Sequence, residues 1–244
     1  MKRTVILMLV LFFTVISIAD CGYKSVFTNN IKGPVKSMNY QTFKGIDKFG
    51  EIFLGEKEVS YMFTYNNDNQ VTSVSLSPDS HHIIKYDGGC HVSTDNFDSD
   101  GNLMSRRIIK YNNNLLTESS YYYKDGTLLW RDSYEYNDKN ELIKWLSYNI
   151  EGKLTNRVIY ERDSHGNPIK TDQEDQYGAN SLTLSEYNED GYLTAMTRIN
   201  RNNDTVNNMT YLYFDFDEYN NWTKMHTFSN NVIQKIIVRV FEYY

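Results

Sequence analysis

Apolar and polar positions alternate in short runs along most of the chain, and one kind of turn recurs between the runs. It reads aromatic, Asn or Asp, two polar residues, Gly or Asn, one further residue, then Leu. Phe97-Asp98-Ser99-Asp100-Gly101-Asn102-Leu103 is the clearest copy, and residues 136–142, 148–154 and 187–193 follow it. The fifth position is held by Gly101, Asn140, Gly152 and Gly191, and by Gly166 in a looser copy at residues 162–168. Gly and Asn enter left-handed backbone space at low cost. An Asn or Asp at the second position favours an Asx-turn. Each copy therefore predicts a hairpin turn flanked by strands.

Residues an even number apart on a strand share a face. Leu103 and Tyr111 are eight apart, as are Leu128 and Tyr136; Leu142 and Tyr148 are six apart, as are Leu154 and Tyr160. Counted this way, the Leu opening each strand and the aromatic closing it lie on one apolar face. The expected fold class is all-β: an antiparallel meander of short tandem hairpin repeats. Burying that face requires a strongly curled sheet or a partly open barrel, with at least one edge unpaired. A turn is expected at Pro78, and no amphipathic helix follows the N-terminal region.

The same counting assigns the second face. Pairing Tyr136 with Leu142 and Tyr148 with Leu154 sets Trp145 beside Arg157, with Arg131 close by. Trp145, Arg157 and Arg131 are therefore the candidate ligand-facing residues. They form either a packed cross-strand cluster or a shallow platform for an acidic or sugar-containing ligand.

The N-terminus changes the destination. A basic start at Met1-Lys2-Arg3 precedes an apolar run over residues 5–19, which predicts a signal peptide rather than a membrane span. Ser17-Ile18-Ala19 fits cleavage after Ala19. Ile18-Ala19-Asp20-Cys21 resembles a bacterial lipobox, with Asp20 departing from the small residue usual there. On the second reading Cys21 is the lipid attachment site. The expected division is residues 1–20 as signal peptide, 21–34 as tether and 35–244 as one β-domain. Cys21 and Cys90 are the two cysteines. With Cys21 lipidated Cys90 is a lone thiol; otherwise the two can pair in an oxidising compartment.

Composition removes several function classes. A net charge of −6 without a basic cluster argues against nucleic-acid binding. His81, His82, Asp87, Cys90 and His91 match no metal-ligand spacing and read as polar loop residues. Asp215, Asp217 and Glu218 sit at a turn and read as turn solvation rather than a glycosidase pair. No catalytic motif, cofactor site or metal site is found, so an enzyme is not expected, with a hydrolase the least favoured reading. Tyrosine is abundant, with 21 copies. A repeat tyrosine either buries its ring and keeps its hydroxyl wet, or stacks on a sugar.

The turn copies at residues 97–103 and 187–193 resemble the Tyr-Asp-x-x-Gly-Asn/Arg-Leu repeats of YD-repeat proteins of the RHS family. The resemblance covers roughly residues 60–230 in a degenerate form. It implies extended β-sheets of the kind that wrap into shells, and in some members carbohydrate binding. The spacing here is tighter, and neither the family's core motif nor a toxin domain follows, so the chain is more similar to small repeat-built envelope lipoproteins. The resulting expectation is a non-catalytic envelope module, secreted across the inner membrane and held by a lipid anchor only. It would bind a glycan or another envelope protein. The alternative is a structural scaffold that docks proteins on its sheet edges.

Overall fold

A computed structural model describes residues 31–76 and 80–244. Cys21, the signal peptide, most of the tether and the turn at Pro78 lie outside the described residues. The strands are β1 (Val35–Lys48), β2 (Glu51–Tyr65), β3 (Val71–Leu76), β4 (Ser80–Asp87), β5 (Cys90–Asp98), β6 (Leu103–Asn112), β7 (Leu115–Tyr123) and β8 (Leu128–Tyr136). They continue as β9 (Leu142–Asn149), β10 (Leu154–Arg162), β11 (Pro168–Asp175), β12 (Asn180–Tyr187), β13 (Leu193–Asn200), β14 (Thr205–Phe216), β15 (Trp222–Ser229) and β16 (Val232–Tyr243).

Among the described residues these 16 strands form one antiparallel sheet, each paired with its neighbours in sequence, and β1 also pairs with β16. The barrel is closed. The seam runs from Val35 opposite Tyr243 to Lys44 opposite Lys235. This corrects the expectation of an open or partly open curl with an unpaired edge. The twist of many strands brings first and last side by side, and pairing them satisfies two rows of backbone donors and acceptors. A closed ring also differs from the extending repeat sheet that the YD-repeat resemblance implies, so that resemblance fails as a description of the architecture.

The turns share one device. Asp98 Oδ1 accepts from the backbone N–H of Asp100 at 3.0 Å and of Asn102 at 2.8 Å. Asn137, Asn149, Asp163 and Asp217 repeat the arrangement in their own turns. The Asx oxygen collars the amides that the hairpin leaves unpaired. The chain then recrosses through a left-handed residue: φ is 80° at Gly101, 61° at Asn140, 76° at Gly152, 83° at Gly166 and 76° at Gly191.

Turns after even-numbered strands, together with the chain ends, form one rim, called upper below; turns after odd-numbered strands form the lower rim. The upper rim is stapled from inside. The hydroxyl of Tyr86 donates to the Val71 carbonyl at 2.8 Å, Tyr111 to His91 at 2.9 Å, Tyr136 to Leu116 at 2.7 Å and Tyr213 to Leu193 at 2.8 Å. Arg162 Nε takes the same role toward Leu142, at 2.8 Å. The stapling residues 86, 111, 136, 162, 187 and 213 recur every 25 or 26 residues, so the structural unit is a pair of strands. This accounts for part of the tyrosine content.

The ladder pairings assign every strand residue to one of two faces. One face carries Tyr40, Phe63, Ile84, Ile109, Asp132, Tyr134, Val158, Ile237 and Arg239, all buried. Side chains on the concave side of a curved sheet converge, so this crowded set is the inner wall. Its apolar clusters sit toward the upper rim. One spans β1–β4 and β14–β16 around Met38, Phe63, Val74 and Trp222, with Tyr192 from the turn before β13; the other spans β6–β10 around Ile109, Tyr134 and Leu142. The outer face over β4–β11 carries ion pairs instead: Lys85 and Arg106 on Asp95 (2.7 and 2.5 Å), Lys110 on Glu118 (2.7 Å), Lys144 on Glu135 (2.6 Å) and Arg157 on Glu174 (2.7 Å).

Even-spacing parity does not survive the turns. The register slips between Glu135 and Tyr136, so that Tyr136 meets Leu142 while Glu135 meets Lys144. One extra residue on β9 reverses the faces beyond it. Leu142 points inward and is 2% exposed, whereas Leu154, in the same motif position one turn later, points outward and is 41% exposed. The Leu and aromatic that flank a turn share a face, but successive turns alternate between inner wall and outer surface.

Candidate functional site

The sequence-derived site comes apart at this point. Trp145 pairs with Tyr134 and Val158 and stands on the inner wall. Arg157 pairs with Leu146 and Glu174 and stands outside, where its guanidinium meets Glu174. Arg131 is also outside, 5.3 Å from the Tyr148 ring centroid. Neither the packed cluster nor the platform of Trp145 with Arg157 exists, and the slipped register at the turns is the reason. The histidines are strand residues rather than loop residues, and they divide between faces. His81 stacks on Phe97 outside at 4.8 Å; His82 meets Asn96 inside; His91 is buried with Nε2 2.8 Å from Thr94 Oγ1. Among the described residues no group of three or more His, Cys, Asp or Glu side chains is placed to hold a metal ion.

A different constellation occupies the inner wall of β6–β9. Asp132 is 1% exposed and its Oδ1 accepts from Ser147 Oγ at 2.6 Å. Ser119 Oγ lies 3.4 Å from Asp132 Oδ2 and 3.1 Å from the Tyr134 hydroxyl. Arg107 Nη2 donates to Ser119 Oγ at 3.2 Å and to Tyr134 at 3.1 Å. Burial raises the Asp132 pKa, and hydrogen bonding from Ser147 and the charge of Arg107 only partly offset it. Burial raises Tyr134 and Tyr121 as well. The arrangement is one buried carboxyl among hydroxyls, with Arg107 tied into the same network.

One rung toward the lower rim the wall opens. Arg107 lies over the Tyr121 ring at 5.2 Å, and Tyr121 stacks on Trp130 with centroids 4.2 Å apart and planes at 22°. Trp130 pairs next with Asn149, which is too short to cover it, and the indole is 40% exposed. Tyr123 adds a second exposed ring on the same wall. An aromatic stack ending in an open face, above a buried hydrogen-bonding network, can take a ring with one apolar face and several hydroxyls. Sequence counting puts Trp130 on the apolar face, with Leu128 and Tyr136, and looks for ligand contacts on the other face. The available signal was a pair of aromatics, Tyr121 and Trp130, facing each other across a four-residue turn.

The network predicts a pH signature. An acid whose folded pKa is raised carries a penalty in its ionised form. That penalty is absent below the unfolded value, near 3.8, and complete above the folded one. Asp132→Asn keeps an acceptor for Ser147 and removes the charge. The variant is expected to melt above wild type at pH 7 and to lose that advantage near pH 3, by thermal denaturation across the range. A constant difference at all pH values would exclude the charge as its cause.

No protein-family model and no curated protein matches the chain. Among solved structures, a porin-like protein from Bacteroides uniformis aligns with TM-score 0.57 and 12% identity, covering 87% of this chain and 98% of that one. A porin-like protein from Bacteroides vulgatus aligns with TM-score 0.43 and 12% identity, over 86% and 98% of the two chains. The TcdB2-TccC3-Cdc42 complex aligns with TM-score 0.31 and 16% identity, over 80% of this chain and 12% of that one. The first likeness supports the closed antiparallel barrel; the other two scores are too low to add to it. The outer surface departs from what a bilayer accepts. A charged side chain facing lipid costs about 2–4 kcal/mol for Lys or Arg at the midplane, and here β4–β11 present ion pairs outward.

Proposed function

We propose that this chain is a non-catalytic binding barrel of the bacterial envelope that takes a glycan at the lower mouth of its inner wall. The carrying observation is Trp130, stacked on Tyr121 and left open beside Asn149. A stacked ring is already ordered, so a sugar face meets it without a further ordering cost. Arg107, half-buried over Tyr121, stands within reach of a sugar hydroxyl, while Ser147 and Asp132 hold the wall one rung deeper. The secretory leader supports an envelope destination, and the likeness to a porin-like fold is in keeping with it. The ion pairs that β4–β11 turn outward argue against spanning a bilayer on that side.

A glycan array on the wild-type chain, followed by calorimetric titration of the best ligand, tests the reading. Trp130→Ala is expected to weaken binding about tenfold or more, the cost usual for an anchoring aromatic. Its melting temperature should stay close to wild type, because the ring is partly exposed. Saturable binding that ignores Trp130→Ala, or no saturable binding to any glycan, would sink the proposal.

A further inference from the structure

The hairpin of β1 and β2 outgrows the barrel. Partners on β16 reach only Lys44 and partners on β3 reach only Tyr61, whereas β1 and β2 go on pairing to Lys48 and Glu51. Residues 45–58 thus form an arm whose ladder pairs lie within the hairpin, with its base beside the end of β16 and its tip at the lower rim. Two register shifts between Thr42 and Gly45 mark its base. A Cβ at Gly45 would fall 2.2 Å from Ile233, so glycine lets the arm leave close against β16.

The tip breaks the chain's own rule. Where two residues join strands, both have positive φ: Gly88-Gly89, Asn113-Asn114 and Asn230-Asn231. The arm uses Phe49-Gly50, with φ 59° and 87°. Left-handed backbone is strained for a bulky side chain, and Phe49 is fully exposed, so its ring returns nothing to the fold. Apolar side chains surround it on both faces of the arm. Ile46 pairs with Phe53 on one face, while Ile52 and Leu54 lie on the other; Phe53 and Leu54 are exposed. Charges near the apex are offset. Lys48 and Glu51 are cross-strand partners, and Asp47 Oδ1 accepts the Gly50 N–H at 2.9 Å.

We propose that this arm inserts its tip shallowly into a lipid bilayer surface, with Phe49 as the leading side chain. A protein groove contacts one face of a hairpin. Apolar groups on both faces and at the apex suit a solvent that is apolar all round, and the acyl boundary of a membrane is one. The near-neutral apex makes insertion independent of anionic lipid. Lys48 and Glu51, which flank the Phe49-Gly50 tip, stop at headgroup level and limit the depth.

The test reads the tip itself. The full chain carrying Phe49→Trp is mixed with zwitterionic phosphatidylcholine vesicles whose acyl chains are brominated near the headgroup. Emission from the new indole, taken as the difference from wild type, should shift to the blue and be quenched. The quenching should be the same when phosphatidylglycerol is added to the vesicles. Emission that stays water-like with vesicles present overturns the proposal, and leaves a protein pocket as the occupant of the tip. Quenching only with phosphatidylglycerol overturns it too. Phe49→Asn gives the second arm. It restores the residue used at Asn113 and Asn230, and should raise the melting temperature by roughly 2–4 °C. A lower melting temperature would show that Phe49 serves the fold, and the premise would fail.

Discussion

Leu142→Ala is expected to lower the unfolding free energy by about 2–5 kcal/mol, the range for a buried leucine that leaves a cavity. Leu154→Ala is expected to cost less than about 1 kcal/mol, as partly exposed surface positions do. The two residues hold the same place in successive copies of one motif, so the contrast lies in the structure alone. Leu142 is buried in the inner cluster with Ile109, Leu116 and Tyr134. Leu154 meets Tyr148 on the outer surface and faces solvent. Urea denaturation of both variants checks this. Equal losses would mean that both leucines share one buried face, as unbroken strand counting requires.

That contrast shows where the sequence stops being legible. Turns are readable because their requirements are local. A left-handed residue needs Gly or Asn, and the collar needs an Asx oxygen four residues before the last amide it holds; both stand in the chain as letters. Faces are not readable, because a single bulged residue reverses them and no letter marks it. The slip between Leu154 and Asn156 is what parted Trp145 from Arg157, and the slip between Glu135 and Tyr136 set Trp145 beside Tyr134 on the inner wall. Closure is non-local as well. The pairing of Val35 with Tyr243 joins the two ends of the domain, and it depends on the summed twist of every strand between them. The tyrosine count carried information of a different kind. Tyr111, Tyr136 and Tyr213 staple the upper rim through their hydroxyls, while Tyr121 stacks at the lower mouth. Composition cannot separate those uses; their position relative to the rims can.

Asn221→Ala is expected to destabilise by about 2–4 kcal/mol, the sum of several partners left short of hydrogen bonds. Asn221 is wholly buried at the sixth position of the upper-rim turn between β14 and β15. Its Oδ1 accepts the Lys32 N–H at 2.7 Å, and its Nδ2 donates to the Lys32 carbonyl at 2.8 Å and to the Tyr243 hydroxyl at 3.0 Å. Tyr243 also bonds the Asp217 carboxylate, which Asn221 Nδ2 reaches at 3.2 Å. One amide therefore ties the segment entering β1, the turn before β15 and the end of β16 at the seam where the barrel closes. Asn102 holds the same sixth position at the lower rim, is exposed, and bonds only within its own turn. Asn102→Ala is expected to shift stability by no more than about 0.5 kcal/mol. Denaturation midpoints of the two alanine variants, measured with wild type in one urea series, separate a seam clamp from a generic turn residue. Matching midpoints would place the closure energy in the β1–β16 ladder alone.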